Sequence, residues 1–308
     1  MKKVVISEFM DEAAVEDLRA DHNVVYDPTL VDDGDRLLAE LADAEAIIVR
    51  NRTQVRGALL GGAPSLRAVG RLGVGLDNID LDACKAAGIS VHPASGANDL
   101  SVAEYVITSA AILLRGAYLG FDRMIAGEWP RQDMSGGELS GKTLGLAGFG
   151  SIARETASMA RALGMTIAAM DPFVPEGDAA WDGVARHEDL ASLAAASDVL
   201  SLHVPLTDGT RDMVNADILT AMNPGAVVVN AARGGVVDEA ALAAALRNGQ
   251  IAGAALDVFA SEPLTKEDGA KFKGLSNLIL TPHIAGVTVE SNTRVSALTA
   301  KNVRSALA

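Results

Sequence analysis

The sequence predicts an α/β protein of two domains, each with a parallel β-sheet at its centre. Short β-rich runs alternate with helical patterns throughout the 308 residues, and this alternation is typical of parallel sheets. One series of strands ends before residue 98 and a second begins at Lys142, which indicates two sheets. The length agrees with this division, because domains usually hold roughly 100 to 200 residues.

The predicted strands are short and mostly apolar. They cover residues 4–6, 46–49, 66–70, 144–148, 166–170, 199–204, 227–230 and 278–281. Between the two series, residues 101–118 have an apolar-rich helical pattern without proline, which predicts a connecting helix. Residues 288–307 predict a last helix with Thr288 as its N-cap.

Composition excludes several classes of function. Hydrophobic residues make up 49% of the chain, yet no run approaches the roughly 18 apolar positions of a membrane span. The formal net charge of −14 repels nucleic acids and anionic membranes, and no basic patch offsets it. The single cysteine, Cys84, suits a reducing cytoplasm, and the histidines lack the spacing of a metal site. We therefore expect a soluble cytoplasmic protein without a metal, a nucleic-acid partner or a membrane partner.

A glycine-rich turn follows the predicted strand 144–148. Gly148, Gly150 and Ala153 form the pattern G-x-G-x-x-A, and a helical run follows over residues 154–164. In such a strand–turn–helix unit the first glycine permits the tight turn and the second lets the backbone approach a pyrophosphate. The small third residue lets the helix pack close to the strand. The segment therefore predicts a dinucleotide site.

Two further features support that site. The backbone amides of Ser151 and Ile152 would lie at the helix N-terminus, where an anion is favoured. Asp171 ends the next predicted strand, 21 residues after Gly150, at the spacing of an acid that binds the adenosine ribose. Because a carboxylate there repels a 2′-phosphate, we expect the cofactor to be NAD rather than NADP.

Three polar residues follow strand-like runs in the second half of the chain. They are Arg233 after VVVNAA, Glu262 in DVFASEP and His283 in LILTPHIAG. Reduction of a 2-oxo acid needs a fixed cation for the carboxylate and a proton donor for the carbonyl oxygen. Arg233 could supply the cation and His283 the proton, while Glu262 would orient the imidazole and favour its charged form. This set predicts hydride transfer to or from a 2-hydroxy acid.

The chain resembles the D-isomer-specific 2-hydroxyacid dehydrogenase family, which includes phosphoglycerate, glycerate and D-lactate dehydrogenases. The resemblance covers nearly the whole length and rests on six segments in order. These are GRLGVGLDNID (residues 70–80), NDLSVAEYVI (98–107), GLAGFGSIAR (145–154), NAARGGVVDE (230–239), LDVFASEP (256–263) and TPHIAG (281–286). The resemblance assigns the catalytic roles to Arg233, Glu262 and His283, in agreement with the roles argued from the residues themselves.

The resemblance also implies further contacts. On the cofactor side they are Asp257 at the nicotinamide carboxamide, the backbone of Ala231 and Ala232, His203 and Pro205 near the adenosine, and Gly286. On the substrate side, Asn98 and the backbone amides around Val74 and Gly75 would act with Arg233. A glycine-rich turn would let the main chain at Val74 and Gly75 come close to the carboxylate.

Family members have Rossmann-like folds in both domains, with the active-site cleft between them. We therefore expect a substrate domain at residues 1–98 and 285–308 and an NAD-binding domain at residues 99–284, with hinge closure on binding. The resemblance also implies a homodimer formed through the NAD-binding domain, where helix 101–118 would offer apolar surface.

The sequence specifies the hydroxy acid less closely than it specifies the family and the cofactor. Arg50 and Arg52 follow one predicted strand and Arg71 ends its neighbour, so a second anionic group on the substrate is one hypothesis and surface ion pairs are the other. A doubly anionic acid such as (S)-3-sulfolactate is favoured, with 3-phosphoglycerate, glycerate or hydroxypyruvate, and malate as alternatives. The S label describes the D-type spatial arrangement, because sulfur takes priority over the carboxylate in the naming rules.

Two other functions are compatible with parts of the pattern. An NAD-binding corepressor could retain the same residues, although the chain has no tail suited to recruiting partners. Formate dehydrogenase has a glutamine at the position that matches Glu262, so Glu262 argues against that activity.

Overall fold

The computed structural model describes all 308 residues and divides into two compact units. Unit 1 comprises Met1–Asn98 and Val287–Ala308, and unit 2 comprises Asp99–Gly286. In unit 1 the elements of the first segment are β1 (Lys3–Ile6), α1 (Glu12–Arg19), β2 (Asn23–Tyr26), α2 (Gly34–Leu41), β3 (Ala46–Val49), α3 (Ala58–Gly61), β4 (Ala68–Arg71), α4 (Leu81–Ala86) and β5 (Ser90–Pro93).

Unit 2 begins with two helices and then alternates strands with helices. Its elements are α5 (Asp99–Arg115), α6 (Phe121–Ile125), β6 (Thr143–Ala147), α7 (Ser151–Ala162), β7 (Thr166–Met170), β8 (Ala185–Arg186), α8 (Leu190–Ala196), β9 (Val199–Leu202), α9 (Ala216–Ala221), β10 (Val227–Asn230), α10 (Glu239–Arg247), β11 (Gly253–Leu256) and β12 (Leu278–Leu280). The chain then returns to unit 1 as α11 (Val289–Leu307).

The sheet of unit 1 is five-stranded and wholly parallel, with the strand order β2-β1-β3-β4-β5. The central strand β3 is buried along its whole length. Its wholly apolar sequence AIIV is typical of a parallel strand that is covered on both faces. The strand order reverses between β1 and β3. In open α/β sheets ligands bind outside the carboxyl ends of the strands at such a reversal.

The sheet of unit 2 is seven-stranded and wholly parallel, with the strand order β12-β11-β10-β9-β6-β7-β8. Its order reverses between β6 and β9, so the turn that follows β6 lies at the position where this class of sheet binds dinucleotides. Two apolar clusters pack on the sheet, one with α5 and α7 and the other with α8, α9 and α10. The two parallel sheets confirm the predicted α/β class.

Most predicted elements lie where the sequence places them. The strands at 46–49, 166–170 and 227–230 agree residue for residue. The connecting helix ends at Arg115 rather than at residue 118, because Gly116 adopts a positive φ of 66° and stops the helix. The last helix has the predicted cap, since the Thr288 hydroxyl accepts a hydrogen bond from the amide of Ser291.

Four strands were missed because they lack a long β-branched run. They are β2, β5, β8 and β11. Strand β8 has only two residues, both exposed, at the edge of the sheet. Strand β11 has the small-residue sequence GAAL because α5 packs close to it, and a Cβ at Gly253 would come within 2.8 Å of the Leu113 side chain.

Candidate active site

The glycine turn after β6 has the backbone that its pattern predicts. Gly148 has a φ of 89°, and a Cβ there would lie 2.5 Å from the carbonyl oxygen of His203, so only glycine fits. Gly150 is the N-cap of α7, and a Cβ there would meet nothing within 4 Å. Ala153 is fully buried between helix and strand. Gly148 is thus packed against the protein, whereas Gly150 has free space beside its Cα atom.

The residues of this turn fit a dinucleotide. No side chain caps α7, so the amides of Ser151 and Ile152 in its first turn remain available to a pyrophosphate. Asp171 stands at the end of β7, where its Oδ2 accepts from the Phe149 amide and its Oδ1 from the Phe173 amide, both at 2.8 Å. Each carboxylate oxygen keeps a lone pair for a ribose hydroxyl.

The other residues assigned to the adenosine side lie on the loop after β9. The Nε2 atom of His203 lies 2.9 Å from the Ser201 hydroxyl, and burial lowers the pKa of His203 to about 4, so the ring is neutral at neutral pH. The carbonyl oxygen of the exposed Pro205 accepts a hydrogen bond from Thr210.

His283 and Glu262 form a direct pair in unit 2. The Nδ1 atom of His283 lies 2.7 Å from Oε2 of Glu262, and Oε1 of Glu262 accepts from the Phe259 amide at 2.9 Å. Burial raises the pKa of Glu262, but the hydrogen bonds from His283 and Phe259 and the charge of Arg233 outweigh it and hold that pKa below its ordinary value. The Glu262 carboxylate is therefore charged where it faces the imidazole.

The imidazole remains accessible despite this pairing. Its side chain is 43% exposed, and Nδ1 faces the carboxylate, so Nε2 is the atom that can exchange a proton with a ligand. The backbone of His283 has a φ of 55°, an uncommon value for a residue with a side chain. Such a conformation costs of order 1–3 kcal/mol and persists only where surrounding contacts hold it.

Asp257 supplies those contacts. It is 1% exposed and its carboxylate accepts from the Thr281 hydroxyl at 2.6 Å and from the amides of Ile284 and Ala285 at 2.8 Å, while its carbonyl oxygen accepts from the His283 amide. Three of about four acceptor sites on the carboxylate are used within the protein. The resemblance assigns Asp257 to the nicotinamide carboxamide, and these hydrogen bonds give it a second role in the His283 loop.

The loop after β10 is held in a similar way. The buried side chain of Asn230 accepts from the Ala232 amide at 3.1 Å and donates to the Arg233 carbonyl oxygen at 2.9 Å. Ala231 and Ala232 are half-buried along this turn. Gly234 lies against the carbonyl oxygen of Phe259, where no Cβ would fit. The loop that carries Arg233 thus touches the segment that carries Glu262.

In unit 1, the turn after β4 presents open backbone amides. The N–H groups of Val74 and Gly75 donate to no acceptor within the protein, and Val74 is 36% exposed. The Arg71 guanidinium folds over Gly73 and donates to the Leu72 carbonyl oxygen. The carboxylate contact of these amides stays a prediction. At the ends of the two units, Asn98 has a buried amide oxygen without a hydrogen-bond partner, and Gly286 follows the His283 loop.

The structure gives Arg50 and Arg52 separate partners. Arg50 donates to the side chain of Asn292 at 2.9 Å and lies over the ring of Phe9, and burial lowers its pKa although Glu8 opposes that shift. Arg52 is 59% exposed and forms an ion pair with Asp32 on the surface. Exposed ion pairs contribute little because solvent screens them, so an anionic ligand could replace Asp32 at small cost.

A nucleotide-binding sheet and a histidine–carboxylate pair with a nearby arginine define a nicotinamide-dependent dehydrogenase. The family model described as "D-isomer specific 2-hydroxyacid dehydrogenase, NAD binding domain" matches residues 107–285. The chain is 57% identical over 307 residues to the (S)-sulfolactate dehydrogenase of Chromohalobacter salexigens. The aligned region covers 100% of this chain and 99% of that protein.

More distant relatives agree with this match. The D-3-phosphoglycerate dehydrogenase of Archaeoglobus fulgidus is 38% identical over 98% of this chain, which spans 56% of that protein. This chain is also similar to the structure of D-lactate dehydrogenase from Aquifex aeolicus, which was solved in complex with NAD and lactic acid. The two superpose with a TM-score of 0.85 at 30% identity, and the superposition covers 99% of this chain and 95% of the lactate dehydrogenase chain.

The chain belongs to the D-isomer specific 2-hydroxyacid dehydrogenase family. It is an NAD-dependent oxidoreductase that transfers a hydride between nicotinamide and C2 of a D-type 2-hydroxy or 2-oxo acid. The sequence predictions of family, activity and cofactor are confirmed. None of its helices combines the length and apolar character needed to cross a membrane.

Proposed function

We propose that the enzyme oxidises (S)-3-sulfolactate to 3-sulfopyruvate. The observation that carries the proposal is the 57% identity, over the full chain, to a protein named (S)-sulfolactate dehydrogenase. The arginines that follow β3 support it, because a sulfonate is a permanent anion that an arginine fork binds well. Arg52 is exposed and weakly paired, so it is the natural ligand for this second charge.

In this proposal Arg233, Glu262 and His283 carry the chemistry. The bound NAD supplies the hydride acceptor, and the glycine turn and Asp171 hold it. Nε2 of His283 takes the proton from the C2 hydroxyl as the C–H bond breaks, and Glu262 keeps the ring in place through Nδ1. Arg233 supplies the cation that binds the C1 carboxylate.

We assign the substrate-binding role to unit 1 and the NAD-binding role to unit 2. The match of residues 107–285 to an NAD-binding domain supports the second assignment, because those residues lie within unit 2. The open amides after β4 support the first.

The experiment is a turnover assay that follows NADH absorbance. The purified enzyme and NAD are mixed with 2-hydroxy acids of both hands, including sulfolactate, 3-phosphoglycerate, glycerate, malate and lactate. We expect the largest kcat/KM with (S)-3-sulfolactate. A larger value with 3-phosphoglycerate, which a 38% identical relative is named for, would replace the proposed substrate.

The Arg52→Ala variant tests the proposed sulfonate contact. We expect KM for (S)-3-sulfolactate to rise about 10- to 100-fold, since a charge-assisted hydrogen bond contributes roughly 1.5–3 kcal/mol. KM for D-lactate, which lacks the second charge, should change little. Arg67→Ala removes another exposed, ion-paired arginine of unit 1 and serves as the control. An equal effect of Arg52→Ala on both substrates would argue against the contact.

We also propose that the enzyme is a cytoplasmic homodimer that pairs through unit 2. The support is an apolar surface, made of Tyr118, Phe121, Ile125 and Trp129, whose residues are each at least 70% exposed. The surface begins at Tyr118, the last residue of the segment 101–118 that the sequence assigns to the dimer contact, and continues into the residues that follow it.

A further inference from the structure

We propose that Glu8 is a positioning residue that fixes the loop Arg50–Thr53 and thereby sets the preference for a doubly anionic substrate. The proposal rests on the proposed function, in which Arg52 binds the second anionic group. Glu8 acts through the backbone of the loop, whose amides it accepts.

The carboxylate of Glu8 accepts a hydrogen bond from every backbone amide of that loop. Oε1 accepts from Arg50 at 2.8 Å and from Thr53 at 3.0 Å, and Oε2 accepts from Asn51 at 3.3 Å and from Arg52 at 3.1 Å. Glu8 is only 5% exposed. Consecutive amides that converge in this way form an anion-binding nest, and here a side chain of the protein itself fills it.

The opposite side of the loop is held as well. The buried Asn78 donates to the carbonyl oxygens of Thr53 at 2.7 Å and Arg50 at 3.4 Å. The hydroxyls of Ser7 and Thr53 lie 2.9 Å apart in the interior. Buried side chains thus bind all four amides of the loop and two of its four carbonyl oxygens, which restricts its backbone.

The position of Glu8 in the fold indicates a ligand-directed role. Glu8 follows β1 and the loop follows β3, so the carboxylate joins the two strands between which the order of the sheet reverses. Ligands of open α/β sheets bind at that point. A substrate anion cannot use the four amides, because Glu8 occupies them, so recognition falls to the side chains of Arg50 and Arg52.

The backbone of the loop therefore sets the positions of the Cα atoms from which the Arg50 and Arg52 side chains extend. With the backbone fixed, Arg50 reaches Asn292 while Arg52 points to the surface beside Asp32. A looser loop would spread the Arg52 guanidinium over many positions, which weakens binding of a second anion. Binding of an acid with only the C1 carboxylate would be unaffected.

The test is the Glu8→Gln variant, which keeps the shape but places an amide group against two of the four donors. We expect hydrogen exchange of the amides of Arg50–Thr53 to accelerate about 10-fold or more, because charge-assisted hydrogen bonds are lost. KM for (S)-3-sulfolactate should rise about 10-fold, with kcat and the KM values for NAD and D-lactate within about 2-fold. Glu12→Gln, which changes an exposed glutamate of α1, is the matched control.

Glu8→Asp is the second variant and carries the same test if Glu8→Gln does not fold. It keeps the charge but shortens the reach, so its exchange rates and KM for sulfolactate should fall between those of wild type and Glu8→Gln. Unchanged exchange of the loop amides would overturn the proposal. Faster exchange with equal effects on both acids would overturn the specificity role. Failure of the wild-type enzyme to oxidise sulfolactate would instead contradict the proposed function, and the exchange experiment would still decide whether Glu8 holds the loop.

Discussion

At the residue scale, the pairing of Glu262 with His283 determines which nitrogen can exchange a proton with a ligand. Because Nδ1 faces Oε2 of Glu262 at 2.7 Å, Nε2 is left for a ligand. The pKa of Glu262 lies below its ordinary value in spite of burial, partly because of His283. The Glu262 carboxylate and the His283 ring are thus coupled through one hydrogen bond.

The Glu262→Gln variant tests that coupling. Oxidation of the hydroxy acid needs an unprotonated His283, and loss of the carboxylate makes the imidazolium less stable. We expect the rising limb of the kcat/KM pH profile to move to lower pH. The lower rate expected from a less well oriented ring would appear in kcat at the pH plateau.

A matched control separates this effect from a general loss of charge. Glu267 is an exposed glutamate on the same stretch of unit 2, and Glu267→Gln should leave the profile unchanged. If Glu262→Gln also leaves the pH profile where it was, Glu262 does not tune the proton-transferring group.

At the scale of elements, three loops that follow parallel strands each have backbone amides bound by a buried polar side chain. Glu8 after β1 holds the loop after β3, Asn230 holds the loop after β10, and Asp257 after β11 holds the loop after β12. Each side chain satisfies backbone groups that would otherwise lack partners at the strand ends. The candidate functional residues are thus presented by irregular backbone that has little freedom.

The Thr281→Val variant tests this idea at the His283 loop. Its hydroxyl donates to Asp257 at 2.6 Å and lies 2.7 Å from the hydroxyl of Tyr105, whose pKa is raised by burial. Valine leaves those two buried groups short of a partner, so we expect stability to fall by about 1–3 kcal/mol. With His283 less firmly held, kcat should fall roughly 10-fold. Urea unfolding and steady-state kinetics measure the two effects.

Thr220→Val is the control for this prediction. Thr220 is exposed and its hydroxyl donates only to the Ala216 carbonyl oxygen within α9, so both quantities should stay near wild type. If Thr281→Val has wild-type kcat, Asp257 does not orient His283 through this hydroxyl.

The sequence predicted the elements that have a strong local signal and missed those that depend on their neighbours. Strand β10, with three consecutive valines, is evident from its pattern, whereas GAAL in β11 is small only because α5 lies close to it. The residues proposed for catalysis stand in recognisable motifs. Glu8 and Asn78 do not, because their role becomes visible only when the loop after β3 is seen folded around them.

At the scale of the whole molecule, the chain combines a large negative net charge with one exposed apolar segment. The net charge of −14 disfavours association with other acidic surfaces. Five large apolar residues are nevertheless exposed in the segment 118–129, which includes the short helix α6. Exposed apolar patches of this kind mark interaction sites, because their burial in a complex is favourable. A second copy of the chain is the partner proposed above.

Replacement of Phe121 and Trp129 by aspartate tests the proposed dimer. These residues are 70% and 78% exposed, so the changes should not disturb the folded chain. Light scattering after gel filtration should give twice the 31.7 kDa chain mass for wild type and one chain mass for the double variant, because buried aspartates cost several kcal/mol at an interface. Phe173→Asp, which changes a 91% exposed aromatic residue elsewhere in unit 2, should remain dimeric. A wild-type mass of one chain, or a double variant that stays dimeric, would show that this surface does not pair the subunits.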